Sequence, residues 1–155
     1  MLKRNIPDFR KKVYQLLDVK GEKFAYAVLK NKEKIDAAWE TYLEIAKKYN
    51  PDDDFMVFEK DRVDLAESFA KKDANGEPIT KDERYDIEDK EGFEKSLDLL
   101  KEKHDLAIKG REAQIAEYEK EMDEEIDIEF HVVSKVPDTI SARELEAAEF
   151  MIKQK

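Results

Sequence analysis

The fold of this chain is decided by residues 90–125, which read KEGFEKSLDLLKEKHDLAIKGREAQIAEYEKEMDEE. The apolar positions follow one another by threes and fours, the steps that return to one side of a helix with 3.6 residues per turn. No proline interrupts the run, so the pattern predicts one helix across 90–125. A helix this long needs other helices, or a partner, to cover its apolar side. Its stripe consists of Phe93, Leu97, Leu100, His104, Ile108, Arg111, Ile115, Tyr118 and Met122.

The composition favours a helical protein with one domain over 1–155. Of the 155 residues, 41% are hydrophobic and 44% charged, with only four glycines and four prolines, which favours helices over a turn-rich β fold. The lack of cysteine excludes disulfides, thiolate zinc sites and cysteine nucleophiles. The apolar stretches are too short to cross a bilayer, and the N-terminus lacks the hydrophobic block of a secretion signal. We therefore expect a cytoplasmic protein that makes no membrane contact.

The charge of the chain is acidic and unevenly distributed. The formal net charge is −10, and eight acidic residues accompany a single lysine between 117 and 129. Such a balance predicts that the chain does not bind nucleic acid directly, because that role needs a dominant basic face. The acidic end could meet a basic protein surface, although solvated helices commonly carry charged outer faces.

Other helices are predicted around the long one. A short helix opens at Ile6, a second spans 22–49, a third spans 54–72 and a last one runs to about residue 152. Pro51 stops the second helix because its ring disfavours helical geometry at the preceding residue. Asp52 then supplies an N-cap. The last helix is opened by Ser141 and Glu144, which have the spacing of a capping box.

Two short stretches depart from the helical period. Asn75-Gly76 signals a tight turn, and residues 77–87 alternate weakly, which predicts a small hairpin or ordered loop between antiparallel third and fourth helices. In residues 126–132, apolar and polar side chains alternate, which predicts a half-buried strand. That strand must pair with residues 2–6, the hairpin, another copy or a partner's sheet edge. The fold class is thus mainly α: a three-helix bundle or long antiparallel helical hairpin with a small β element and a C-terminal helix.

Three cationic side chains lie on predicted apolar stripes. They are His104 and Arg111 on the long helix and Arg62 on the third helix. Antiparallel pairing would bring Arg62 near His104 and Arg111 near Phe55. Together the three could bind an anion or a buried carboxylate. Alternatively, the arginine stems lie on apolar surface while their charged ends reach water.

No pattern in the sequence identifies catalysis. The segment from Asp73 begins like a calcium loop, but Pro78 and Arg84 replace the diagnostic glycine and glutamate. Nucleophile elbows, phosphate loops and dinucleotide fingerprints are absent from the sequence. We therefore predict that the chain is not an enzyme and has no catalytic residue, cofactor or metal site.

Five stretches of the chain carry a resemblance to a known family. They are residues 21–31 (GEKFAYAVLKN), 72–78 (KDANGEP), 85–89 (YDIED), 125–131 (EIDIEFH) and 140–152 (ISARELEAAEFMI). In this order they resemble a family of small uncharacterised helical proteins encoded by bacteriophages and prophages. The resemblance implies an accessory or morphogenesis protein in the cytoplasm of the host cell, and it supplies no functional residue.

Protein binding without catalysis is the predicted function. We expect the C-terminal strand and helix to dock a phage or host protein, or another copy, because an unpaired strand edge recruits a further strand. Alternatively, the acidic end mimics phosphate and inhibits a nucleic-acid-binding host enzyme in a host-defence system. The candidate partner-binding residues are Ile128, Phe130, His131 and Val132, together with Glu121, Glu124 and Glu125.

Overall fold

The computed structural model describes residues 1–153, which form two compact units. Unit 1 contains residues 1–49 and the chain from Glu117 onward, and unit 2 contains residues 50–116. The described part is mainly α-helical with one small two-stranded sheet and a C-terminal helix, which confirms the predicted fold class. A division into two compact units is compatible with one domain and with two. The single domain predicted over 1–155 therefore stays a prediction.

Unit 1 has its core between three helices. They are α1 (Ile6–Gln15), α2 (Glu22–Lys48) and α6 (Ala142–Ala148), and α6 continues as a 3-10 helix over Glu149–Met151. Helix α1 packs against both α2 and α6. Spacings of three and four residues turn the apolar side chains of each helix to one side. The buried side chains include Ile6, Val13, Leu16, Phe24, Ala27, Val28, Ile35, Ala147, Ala148 and Met151.

The predicted capping box opens α6. The backbone N–H of Glu144 donates to Ser141 Oγ at 3.3 Å, and the backbone N–H of Ser141 donates to Glu144 Oε2 at 2.8 Å. Each side chain therefore satisfies a backbone donor that the first turn of a helix leaves without a partner. The cap fixes the start of the helix that contributes Ala147 and Ala148 to the core.

Unit 2 is built on a helical hairpin. It contains α3 (Asp53–Ser68), α4 (Lys90–Lys103) and the first part of α5 (Asp105–Met122). Aromatic contacts join Phe69 to Phe93 and Phe58 to His104, with ring centroids 5.9 and 5.7 Å apart. The later aromatic residue of the first arm, Phe69, contacts the earlier one of the second arm, Phe93, and the earlier Phe58 contacts the later His104. The two arms of the hairpin therefore run antiparallel, as predicted.

A short β-hairpin lies between α3 and α4. Strand β1 (Thr80–Lys81) pairs antiparallel with β2 (Arg84–Tyr85). The two connecting residues, Asp82 and Glu83, have φ values of +52° and +62°, as a type I′ turn requires. The predicted hairpin is therefore confirmed. Asn75-Gly76, which carried the turn signal, forms a separate turn in which Gly76 has φ +86°.

The prediction of one unbroken helix over 90–125 is wrong at His104. This residue has φ −108° and ψ +21° and separates α4 from α5, which ends at Met122. Its Nε2 lies 3.1 Å from Asp61 Oδ2, and its ring contacts Phe58. The interruption thus coincides with a tertiary contact, which the apolar period of the sequence does not encode.

The predicted strand over 126–132 is also wrong, since these residues form no regular strand. Isolated bridges flank the segment, pairing Leu2 with Glu125 and Val133 with Ile152. The backbone partners within the segment are not those of a regular ladder: the amino group of Met1 donates to the Ile126 carbonyl, and the Asn31 side chain bonds the backbone of His131. None of the helices in the described part is both long and apolar enough to span a bilayer.

Candidate protein-binding site

The predicted partner-binding segment, residues 126–132, and the adjoining Val133 are hydrogen-bonded to the rest of unit 1 along one edge of their backbone. The side-chain amide of Asn31 donates to the carbonyl of His131 at 2.9 Å and accepts its N–H at 2.6 Å. Two residues later, the N–H of Val133 donates to the carbonyl of Met151 at 2.7 Å, and the N–H of Lys153 donates to the Val133 carbonyl at 2.9 Å. His131 and Val133 therefore form hydrogen bonds with the body of the unit at alternate positions.

Asn31 holds this segment in place, a role that the sequence did not reveal. It interrupts the apolar side of α2, and its side chain is fully buried. A buried amide is costly unless its donors and acceptor are bonded, and here the backbone of His131 satisfies them. A polar residue at a helical core position is the signal that could have pointed to this role.

The opposite edge of the same segment is open. In an extended chain, the backbone groups of successive residues point to opposite sides. Val132 lies between the two fastened residues, and its N–H and carbonyl form no hydrogen bond with any residue from 1 to 153. Its side chain is also 54% exposed. Val132 thus presents an unpaired backbone edge to solvent.

A groove of about 460 Å³ runs beside this edge. One wall is the start of α2, with Glu22, Lys23 and Tyr26, and the other is the chain over 131–135. Tyr26 is 55% exposed, and its ring meets the His131 ring edge-on with centroids 5.6 Å apart. The groove therefore combines exposed apolar surface with a free backbone edge.

Phe130 and Ile128 point into unit 1 instead of outward. Both are half-buried and pack against the core. The Phe130 ring stacks on Phe9 with centroids 5.6 Å apart and meets Phe150 edge-on at 4.8 Å. Of the four apolar and histidine candidates in 126–132, His131 and Val132 are the two that are exposed.

The acidic candidates have partners within unit 1. Glu121 Oε2 accepts hydrogen bonds from Lys48 Nζ and Tyr49 Oη, each at 2.8 Å. These two donors lower the pKa of the Glu121 carboxyl below its ordinary value. Glu124 pairs with Lys3 at 2.8 Å, whereas the exposed Glu125 forms a backbone bridge with Leu2. Two of the three predicted glutamates are therefore paired with cations of the same unit.

The three cations predicted on the apolar stripes of unit 2 do not share one anion. Arg62 pairs with Glu59 at 2.8 Å, and Arg111 lies over the Phe55 ring at 6.0 Å. The third, His104, contacts Asp61. Hydrogen bonds from Lys103 and His104 lower the pKa of the Asp61 carboxyl. The predicted approach of Arg111 to Phe55 is thus confirmed, while each charged group has its own partner.

Neither metal chemistry nor a relative identifies a function for this chain. Across residues 1–153, no group of three or more histidine or acidic side chains could hold a metal ion. In the loop that begins like a calcium site, Asp73 Oδ1 instead accepts the backbone N–H groups of Asn75 and Glu77. No protein-family model, no curated protein and no solved structure matches the chain.

Proposed function

We propose that the chain is a non-catalytic binding protein that captures an extended segment of another protein along the open edge at Val132. The observation that carries this proposal is the alternation over 131–133. His131 and Val133 are bonded to the body of unit 1, whereas the backbone groups of Val132 have no partner among the described residues. An unpaired edge of this kind recruits a strand through main-chain hydrogen bonds.

The groove beside the edge supplies the means of selecting the partner. Side chains of an added strand alternate between its two faces, so one of them enters the space between Tyr26 and Val132. An aromatic or β-branched side chain suits this space because both neighbouring side chains are apolar and more than half exposed. We therefore propose that the bound segment is extended and carries such a residue.

The resemblance to phage and prophage proteins gives this proposal its cellular context. Within that context, the bound segment belongs to a phage or host protein in the cytoplasm of the host cell. The role is that of an accessory or morphogenesis protein. A second copy of this chain is the other source of the segment, and self-association that Val132→Pro weakens would identify it.

The acidic inhibitor is the weaker of the two proposals. Glu121 and Glu124 are paired with Lys48 and Lys3, so their charge is partly neutralised within unit 1. Phosphate mimicry would make binding steeply dependent on salt, because exposed charges are screened. Binding at the Val132 edge depends on backbone hydrogen bonds and apolar contact, so we expect it to change little with salt.

A displayed library of seven-residue peptides, selected on the immobilised full-length chain, tests the proposal. We expect enrichment of extended sequences with an aromatic or β-branched residue. A selected peptide should lose roughly tenfold or more in affinity for Val132→Pro, because proline removes the backbone donor from the edge. The matched control, Val132→Ala, keeps the donor and should lose far less affinity than the proline variant, because the main-chain hydrogen bonds remain.

A second variant tests the groove without introducing a proline, which could disturb folding. Tyr26→Ser removes the wall of the groove without altering the backbone of 131–133, and circular dichroism checks that each variant is folded. We expect Tyr26→Ser to weaken the same peptide. Failure to enrich any peptide, or equal affinity for the proline and alanine variants at position 132, would contradict the proposal.

A further inference from the structure

We infer that unit 2 associates with unit 2 of a second copy through the exposed face of α4 and α5 that carries Leu99 and Leu106. Leu99 is 67% exposed and Leu106 is 86% exposed. Both border clefts that share Lys103 and one face of α3, Leu99 with Asp61 and Leu106 with Val57. The two leucines therefore lie on the same side of the hairpin, although His104 interrupts the helix between them. This surface is independent of the groove in unit 1, so the inference does not rest on the proposed function.

The hairpin of unit 2 has little core of its own. Among residues 50–116, all of which the structure describes, only Phe58 and Ala70 have buried side chains. Met56 and Val57 on α3 are more than half exposed in addition to the two leucines. Two helices alone leave apolar surface open, and pairing two hairpins into a four-helix arrangement is the common way to cover it.

Charge complementarity identifies the second copy as the occupant. Glu102 and Lys103 lie midway between the two leucines in sequence. If the two copies pair antiparallel about this midpoint, Leu99 of one copy meets Leu106 of the other. The same register sets Glu102 of each copy opposite Lys103 of the other, which gives two opposite-charge pairs in one symmetric interface.

The same register produces no steric clash where Lys95 of one copy meets Gly110 of the other. It sets Lys95 of one copy opposite Gly110 of the other, and a Cβ at Gly110 would meet no described atom within 4 Å. The long lysine stem therefore has room on the surface beside the glycine. Lys103 Nζ lies 3.3 Å from Asp61 Oδ2 and its side chain is 67% exposed, so it remains accessible to the opposing glutamate.

Mixing two charge variants of the full-length chain tests this register. Glu102→Lys and Lys103→Glu each create two like-charge pairs in their own homodimer, whereas a mixture of the two variants restores both opposite-charge pairs. By sedimentation equilibrium, we expect each variant alone to dimerise roughly tenfold more weakly than the unchanged protein. We expect the mixture to recover the affinity of the unchanged protein through heterodimers.

A third variant separates this surface from the groove in unit 1. Leu106→Lys places charge on the apolar face, and its residue is so exposed that the fold should be retained, as circular dichroism will check. We expect this variant to be monomeric, while Val132→Pro dimerises as the unchanged protein does. The inference is overturned if the unchanged protein is monomeric at about 100 µM, a concentration far above the Kd of a typical specific dimer. Dimerisation that survives Leu106→Lys, or a mixture that recovers no affinity, also overturns it.

Discussion

The side-chain amide of Asn31 forms a pair of hydrogen bonds with the backbone of His131, 100 residues further along the chain. The pair imitates the way in which a neighbouring strand would bond the segment. Through this pair, α2 binds the segment around His131 without forming a sheet. The opposite backbone edge of the segment, at Val132, remains unpaired among the described residues. Asn31 is fully buried, so the stability of unit 1 depends on this pair being complete.

Replacing Asn31 with alanine should destabilise the protein markedly. The change leaves the N–H and carbonyl of His131 without their partner and opens a cavity beside Met151, whose Sδ lies 3.8 Å from Asn31 Nδ2. We expect the free energy of unfolding, measured with urea, to fall by about 2–4 kcal/mol. The exposed Glu33 on the same helix is the matched control, and Glu33→Ala should cost less than about 0.5 kcal/mol. Equal losses for the two variants would show that the amide pair contributes no stability.

Truncation should cost much more stability at Phe130 than at Val132. Phe130 packs against the rings of Phe9 and Phe150 and is half-buried, so Phe130→Ala should lower the free energy of unfolding by about 2–4 kcal/mol. Val132 is more than half exposed, and Val132→Ala should change the free energy of unfolding by less than about 0.5 kcal/mol. Thermal unfolding followed by circular dichroism measures both. A large loss at Val132 would mean that its side chain is needed for the fold, which would contradict the free surface described at this position.

The carboxyl of Asp36 should make the stability of unit 1 sensitive to acid. Burial alone would raise its pKa, but hydrogen bonds from Lys32, Tyr14 and Arg10 outweigh burial and hold the pKa below its ordinary value of 3.8. A carboxyl whose pKa is lower in the folded state contributes stability that is complete above its unfolded pKa. That contribution is lost as the pH falls through the folded pKa.

Urea unfolding between pH 2 and pH 6 measures this contribution. We expect Asp36→Asn to be less stable than the unchanged protein near pH 6. The difference between them should shrink below about pH 4, as the carboxyl is protonated first in the unfolded state and then, at lower pH, in the folded state. Asp18→Asn is the control, because Asp18 is exposed and forms no ion pair or side-chain hydrogen bond with a described residue. A difference between wild type and Asp36→Asn that stays constant over the whole range would contradict the expected linkage.

The sequence predicted the helices well because their signals are local. The capping box at Ser141, the N-cap at Asp52 and the stop at Pro51 each act within a few residues, and the observed ends lie close to the predicted ones. The ends of the third and fourth helices were placed too far along the chain. Helix α3 ends at Ser68 and α5 at Met122, since terminal turns depend on the contacts that follow them.

The binding edge could not be predicted in full because it depends on contacts between distant residues. The alternation over 126–132 correctly indicated that Ile126, Ile128 and Phe130 turn inward. It could not show that Asn31 takes the place of a neighbouring strand, nor that Val133 and not Val132 is buried. The interruption at His104 has the same origin, because its contact with Asp61 joins separate helices.

Two helical glycines of unit 2 should respond oppositely to substitution with alanine. A Cβ on Gly110 in α5 would meet no atom of residues 1–153 within 4 Å, whereas a Cβ on Gly92 in α4 would lie 2.2 Å from Asp89 Oδ2. Asp89 is the N-cap of α4 and accepts the backbone N–H of Gly92, so Gly92→Ala would displace the cap. In the helix interior, alanine is favoured over glycine because it loses less backbone entropy on folding.

We therefore expect Gly110→Ala to raise the free energy of unfolding by about 0.5–1 kcal/mol. Gly92→Ala should lower it by about 0.5–2 kcal/mol, the usual cost of losing an N-cap. Urea unfolding of both variants at one protein concentration gives the comparison. Destabilisation by Gly110→Ala would contradict the open space found around this position.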